Sequence, residues 1–183
     1  MLIGLHGKAR SGKTTTANML VRDHNFREVT FAESLKKICM EMFDLSFEQS
    51  YGVLKEVVDS RYNMSPREIF QIVGTECMRK INPGIWIDKV KTFIVNHIDL
   101  IDIVISDVRF KNEFDFVESI GGHMVKIVRI DGPRLATQDT ENHKSEVDLD
   151  GVLNDQYSAV IEAESGDIEF LGKSIDQMVK KWR

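Results

Sequence analysis

Gly7, Gly12, Lys13 and Thr14 fall in the pattern G-x-x-x-x-G-K-T, inside a stretch that reads GLHGKARSGKTTTANML from residue 4. No other feature of the sequence constrains the fold as much. Leu2–His6 before it is an apolar run suited to a buried strand, and Lys13–Val21 after it reads as a helix. Strand, glycine loop and helix make an anion cradle. Glycines let the chain turn tightly, successive backbone N–H groups aim at one anion, and the positive end of the helix adds to them. Lys13 is then placed for the β- and γ-phosphates of a nucleotide, and the Thr14 hydroxyl for Mg²⁺. The expected ligand is a nucleoside triphosphate. The loop alone does not distinguish a kinase from an ATPase or a switch.

The rest of the chain supplies alternating strands and helices. Glu28–Phe31 reads as a second strand, and Ala32–Phe43, Ser65–Lys80 and Ile85–His97 read as helices. Ile101–Ser106 is a β-branched run of the kind found in buried parallel strands. A helix over Asn112–Ile120 stops at Gly121-Gly122. His123–Ile130 and Ala159–Glu162 read as strands, and Ile168–Trp182 as a closing helix. This order predicts an α/β fold, a mainly parallel sheet with helices on both faces, in one domain of 183 residues. Asp131–Asn142 has Gly132, Pro133 and no helical period, and a loop of that length suits a short lid, about residues 131–145.

Two further stretches carry chemistry. IDIVISD places Asp107 at the carboxyl end of a strand, where ligands collect in open α/β sheets. It can bind Mg²⁺ or accept a proton there, or it can simply cap a helix. Arg109 can neutralise a moving phosphoryl group, and Glu113, four residues on, is spaced to pair with it. SPREIFQIVGTECMRK opens with Ser65, Pro66 and Glu68, a capping box. Ile69, Phe70, Val73 and Cys77 then form the buried stripe, while Arg67, Gln71 and Thr75 share another face, suited to a phosphate and a base or other polar acceptor or else simply solvated. Lys36 in FAESLKK is a further candidate phosphate contact, and Trp86 reads as core.

GLHGKARSGKTT, FAESLKK, SPREIFQIVGTECMR, GIWIDKV, VISDVRFKNE and HKSE, in that order, resemble the deoxynucleoside monophosphate kinases of tailed bacteriophages. The blocks span residues 4–146. The resemblance implies a P-loop kinase fold and transfer of the ATP γ-phosphate to a deoxynucleoside 5′-monophosphate with Mg²⁺. It implies Lys13, Asp107, Arg109 and Glu113 as catalytic residues, joined by Arg10 in the loop, and it moves Trp86 to the acceptor site. The region 32–99 becomes the acceptor-binding part. Two departures matter. The loop lysine is followed by Thr14-Thr15 where relatives often have Asp-Thr, so either hydroxyl can serve the metal. Arg129 and Arg134 both flank the lid and either can reach the phosphates, while Lys144 in HKSE is a candidate substrate contact.

Composition narrows the alternatives. A formal charge of −5 argues against a protein that coats nucleic acid. Two cysteines give neither a disulfide framework nor a metal motif, and no apolar run reaches the ~18 residues of a membrane span. The expectation is a cytoplasmic enzyme (the host cytoplasm if phage-encoded), without nucleic-acid or membrane partners and with room for a homodimer. A kinase for another small phosphorylated acceptor, such as phosphomevalonate, and a regulatory NTP-binding module stay open beside it.

Overall fold

A computed structural model describes residues 1–131 and 143–183. β1 (Leu2–His6) is buried throughout, and the glycine loop after it leads into α1 (Lys13–His24). β2 (Arg27–Val29) and α2 (Glu33–Phe43) follow, then the single turn α3 (Phe47–Ser50) and a 3₁₀ turn at Val53–Glu56. α4 (Pro66–Gln71), a π-helical stretch at Ile72–Met78 and α5 (Arg79–Ile81) run on without a break. The remainder is α6 (Ile85–His97), β3 (Ile103–Ile105), α7 (Lys111–Ser119), β4 (His123–Arg129), α8 (Lys144–Val147), β5 (Ala159–Ala163) and α9 (Ile168–Trp182). No helix among the described residues is long and apolar enough to cross a membrane.

The strands lie parallel in the order β2-β3-β1-β4-β5, so the loop strand is central. Strand side chains alternate between faces. Leu2, Ile103, Ile105 and Met124 pack with Leu35, Ile69, Trp86, Ile94 and Phe114. Ile3, Leu5, Val104, Val125 and Ile161 pack with Ala17, Leu20, Leu171 and Ile175 on the other side. Helices therefore cover both faces, as the sequence predicts. Because all strands point one way, their carboxyl ends form a single rim, and the glycine loop and Asp107 both sit on it.

The helix predicted over Ser65–Lys80 departs from expectation in its middle. Its start is as read: Ser65 Oγ accepts from the Glu68 N–H at 3.3 Å, and the Glu68 carboxylate accepts from the Ser65 N–H at 2.7 Å. From Ile72 the chain winds as a π-helix, which takes more residues per turn. Side chains beyond that point are rotated relative to an α-helix. Cys77, expected on the buried stripe, is exposed as a result. Gly74 is buried against α2, where an added Cβ would stand 2.5 Å from Leu35 Cδ2. The Trp86 indole N–H donates to the Gly74 carbonyl at 3.1 Å. Gly74→Val should therefore push Leu35 and α2 away and destabilise the fold by about 1–3 kcal/mol. Urea unfolding reads this directly, and an unchanged midpoint would mean that Leu35 swings aside freely.

Candidate active site

The glycine loop closes on itself. Lys13 Nζ donates to the Gly7 and Lys8 carbonyls at 2.6 and 2.7 Å. Gly7 has φ +156°, and a Cβ there would collide with the Ile127 carbonyl oxygen and stand 2.5 Å from Ser11 Oγ. Arg10 is exposed at φ +60°. Thr16 is buried, with its hydroxyl donated back to the Gly12 carbonyl at 3.1 Å; Thr14 stays exposed and Thr15 half-buried. Beneath the loop, His6 is buried, stacks on Tyr157 and shares a 2.7 Å hydrogen bond with its hydroxyl. Burial, followed by the charges of Lys13, Lys126 and Lys8, pushes His6 down to about 4, so it is neutral at physiological pH.

The strand-end residues are placed on the rim but not paired as the spacing predicts. Both Asp107 oxygens accept backbone N–H groups, from Phe31 and Ala32, each at 2.9 Å. Asp107 thus does cap a helix, but the helix is α2, some 75 residues away in sequence. Each carboxylate oxygen keeps a further lone pair. Glu113 does not form the expected ion pair with Arg109. Its carboxylate is buried, accepts the Arg109 and Phe110 N–H groups at 2.8 and 3.1 Å, and pairs with the Arg79 guanidinium from α5. Burial raises the Glu113 carboxyl to about 7, against the pull of Arg79 and of the two N–H groups. Glu113 therefore holds the Arg109 backbone, leaving its guanidinium free for another partner.

That partner is Glu146 in α8, buried and bonded to Arg109 Nη1. The same Glu146 oxygen accepts from Arg67 Nη1 at 3.3 Å, and Arg67 Nε donates to Glu56 at 2.7 Å. The Glu146 carbonyl takes Lys8 Nζ at 2.5 Å, tying α8 to the glycine loop. Burial pushes the Glu146 carboxyl up, but Arg109, Arg67 and Lys13 together bring it below the usual carboxylate range. Lys13 feels the same group. Burial first, then Arg109, push its ammonium down to about 7, with Arg67 adding to the effect and Glu146 and Asp107 opposing it. Lys13, Arg67, Asp107 and Arg109 therefore share one electrostatic site.

The other candidates are distributed around it. Gln71 is half-buried, and its Nε2 is buried without a hydrogen-bond partner. Thr75 is half-buried on the π stretch, past the point where an α-helical face through Arg67 and Gln71 is interrupted. Lys36 is half-buried, with Nζ 4.3 Å from the Tyr51 ring centroid. Trp86 is 4 % exposed and packed in the core, as its size predicts. Its N–H is used on the Gly74 carbonyl, so it braces the π-helical stretch. Arg129 lies at the end of β4, 3.5 Å from Asp131, and Lys144 is exposed at the start of α8. α8 is capped by His143, whose ring accepts the Ser145 N–H at 3.2 Å. Arg134 and most of the expected lid lie outside the described residues.

Residues 44–175 match the family model for deoxynucleotide monophosphate kinase, a span that takes in α4, the strand end at Asp107 and α8. The chain belongs to the deoxynucleotide monophosphate kinase family. A protein of Acanthamoeba polyphaga mimivirus, provisionally named deoxynucleotide monophosphate kinase, is 42% identical over 163 residues, covering 81% of this chain and 82% of its own. Among solved structures, shikimate kinase from Aquifex aeolicus has a TM-score of 0.53 at 16% identity, over 98% of this chain and 96% of its own. Dephospho-CoA kinase from Campylobacter jejuni has a TM-score of 0.52 at 14% identity, over 99% and 98%. At that identity the two structures share the P-loop kinase fold alone.

In this family member, sequence reasoning missed Glu146, Arg79 and Lys8. HKSE contains Glu146, but a carboxylate among phosphate-binding groups is not an obvious choice. Its value lies in three-dimensional proximity to two arginines from separate segments. Arg79 was hidden because i,i+4 spacing pointed Glu113 to Arg109 instead.

Proposed function

We propose that this site transfers the γ-phosphoryl group of ATP to the 5′-phosphate of a deoxynucleoside monophosphate, giving ADP and a deoxynucleoside diphosphate. The observation that carries the reading is the bridge at Glu146. It joins Arg67 from the acceptor helix to Arg109 from the strand end, within the field of Lys13 in the glycine loop. Cations from a donor side and an acceptor side thus meet at one point.

Phosphoryl transfer requires in-line placement, charge neutralisation and exclusion of water rather than covalent help. The loop N–H groups, Gly7 to Thr15, hold the triphosphate, and Lys13 exchanges its two carbonyls for β- and γ-oxygens. Arg109, aided by Arg10, neutralises the moving group. Arg67 and Lys36 hold the acceptor phosphate, and Gln71 and Thr75 offer polar groups to its base; the orphaned Gln71 amide is an available donor. Glu113 fixes the Arg109 backbone. We assign Arg129 or Arg134, which border or lie in the lid segment in sequence, to the ATP phosphates, and Lys144 to the acceptor.

The hard oxygens of Thr14 or Thr15 and of Asp107 suit Mg²⁺, and no group of three or more potential metal-ligating side chains occurs among the described residues. That donor set fits an ion held mostly by substrate phosphates and water. Such an ion would neutralise phosphate charge. We read the chain as a single catalytic unit of the cytoplasm, with residues 32–99 as its acceptor-binding part.

The test is ADP release with ATP alone, then with each deoxynucleoside monophosphate and with phosphomevalonate. Stimulation by at least one nucleoside monophosphate is expected. Stimulation by phosphomevalonate only, or slow hydrolysis indifferent to every acceptor, would overturn the reading.

A further inference from the structure

The 3₁₀ turn Val53–Glu56 has no helical or strand period, and nothing in its sequence marks a site. It nevertheless packs beside α4 and carries Lys55 toward the acceptor side. Lys55 is half-buried, and its Nζ lies 5.8 Å from the centroid of Phe70, a buried residue of α4. Its chain neighbour Glu56 accepts from Arg67, which anchors the turn to the acceptor helix.

The charges around Lys55 are predominantly like its own. Arg109 from the strand end, Arg67 from α4 and Lys36 from α2 all act to discharge it, and Glu56 opposes them. The cations nearby have carboxylate partners: Arg67 has Glu56 and Glu146, Arg109 has Glu146, and Arg79 has Glu113. Among the described residues, Lys55 and Lys36 have none on this side of the site; the one carboxylate paired on α2, Glu33, goes to Lys37. Burial, followed by Arg109, Arg67 and Lys36, brings Lys55 down to about 8. A cation crowded by cations and covered by an aromatic ring gains most from an incoming anion.

We propose that Lys55 binds the 5′-phosphate of the acceptor, closing a three-sided anion site with Lys36 and Arg67. The assignment rests on the kinase reading above and adds a residue to it. The phosphate supplies the counter-charge that Lys55 and Lys36 lack, and the turn is held against α4 to deliver it.

The test compares wild-type enzyme with Lys55→Met, which keeps the apolar stem, and Lys55→Arg, which keeps the charge. Lys55→Met should raise the KM for the deoxynucleoside monophosphate about tenfold or more, leaving kcat and the KM for ATP within about twofold, because a contact kept throughout the reaction acts on binding alone. Lys55→Arg should restore most of the lost affinity. Calorimetry at pH 9, in buffers of different ionisation enthalpy, supplies a second readout. Binding the monophosphate should draw a proton onto the wild-type enzyme, and both variants should take up less. Unchanged acceptor KM in Lys55→Met, with wild-type turnover intact, overturns the assignment. So does a parallel rise in both KM values, which marks a structural role. Failure of the wild-type enzyme to respond to any monophosphate overturns the kinase reading instead.

Discussion

Arg109→Ala should lower kcat by about a thousandfold or more while changing the KM for ATP by less than about threefold. An arginine that neutralises a transferring phosphoryl group acts mainly in the transition state, and such groups contribute roughly 10³–10⁵ in rate. The structure gives two reasons to expect an effect of that size. The Arg109 backbone is held by a buried carboxylate, so its position is fixed before substrate arrives. Its guanidinium also balances Glu146, and without it that buried negative charge stays beside the phosphates with Arg67 as its remaining arginine. Arg109→Lys should recover only part of the rate, because an ammonium lacks the planar fork. Steady-state kinetics over both substrates separate the outcomes. If ATP affinity and turnover fell together, Arg109 would be a ground-state contact and its assigned role wrong.

Lys13→Met should reduce turnover by about a thousandfold with little loss of folding stability. Lys13 is pushed down to about 7 by burial and by Arg109, so its charge is poorly tolerated until an anionic ligand arrives. Removing that charge relieves the empty site and deprives the loaded one of a phosphate contact. The opposing structural cost is small. The Gly7 and Lys8 carbonyls lose the ammonium as a donor, at about 1 kcal/mol each at most when water can replace it. Circular dichroism and thermal unfolding should therefore give a melting temperature within a few degrees of wild type, beside an inactive enzyme. A collapse in melting temperature would identify Lys13 as a structural clamp of the loop.

The parts of this molecule legible in the sequence are those governed by local chemistry. Gly7–Thr14 dictates a strand, a loop and a helix start because only that backbone can aim several N–H groups at one anion. Ser65, Pro66 and Glu68 announce a helix start for the same kind of reason, since all three partners lie within four residues. Period-two and helical patterns then distribute Leu2, Ile3, Ile103 and Val104 correctly between the two faces of the sheet.

What was not legible depends on partners distant in sequence. Asp107 caps α2 across 76 and 75 residues, and Glu113 turns to Arg79 across 34 rather than to its helical neighbour. Trp86 reads as core from its size and is buried in the core. The π-helical stretch has no composition of its own. It arises where Gly74 is pressed against Leu35 and tied to Trp86, and it carried Cys77 out of the stripe in which an α-helix would have buried it. Glu146 and Lys55 belong to the same class, being single residues in short turns whose meaning comes from arginines brought in by other segments.

The central claim is direct transfer between two nucleotides bound at one rim of the sheet. It is tested most directly with ATP labelled at the γ-phosphate and an unlabelled deoxynucleoside monophosphate. All of the label leaving ATP should appear in the deoxynucleoside diphosphate, one equivalent for each ADP formed, with none in inorganic phosphate. Label recovered as inorganic phosphate, with ADP formed at the same rate whether or not the acceptor is present, would contradict the account.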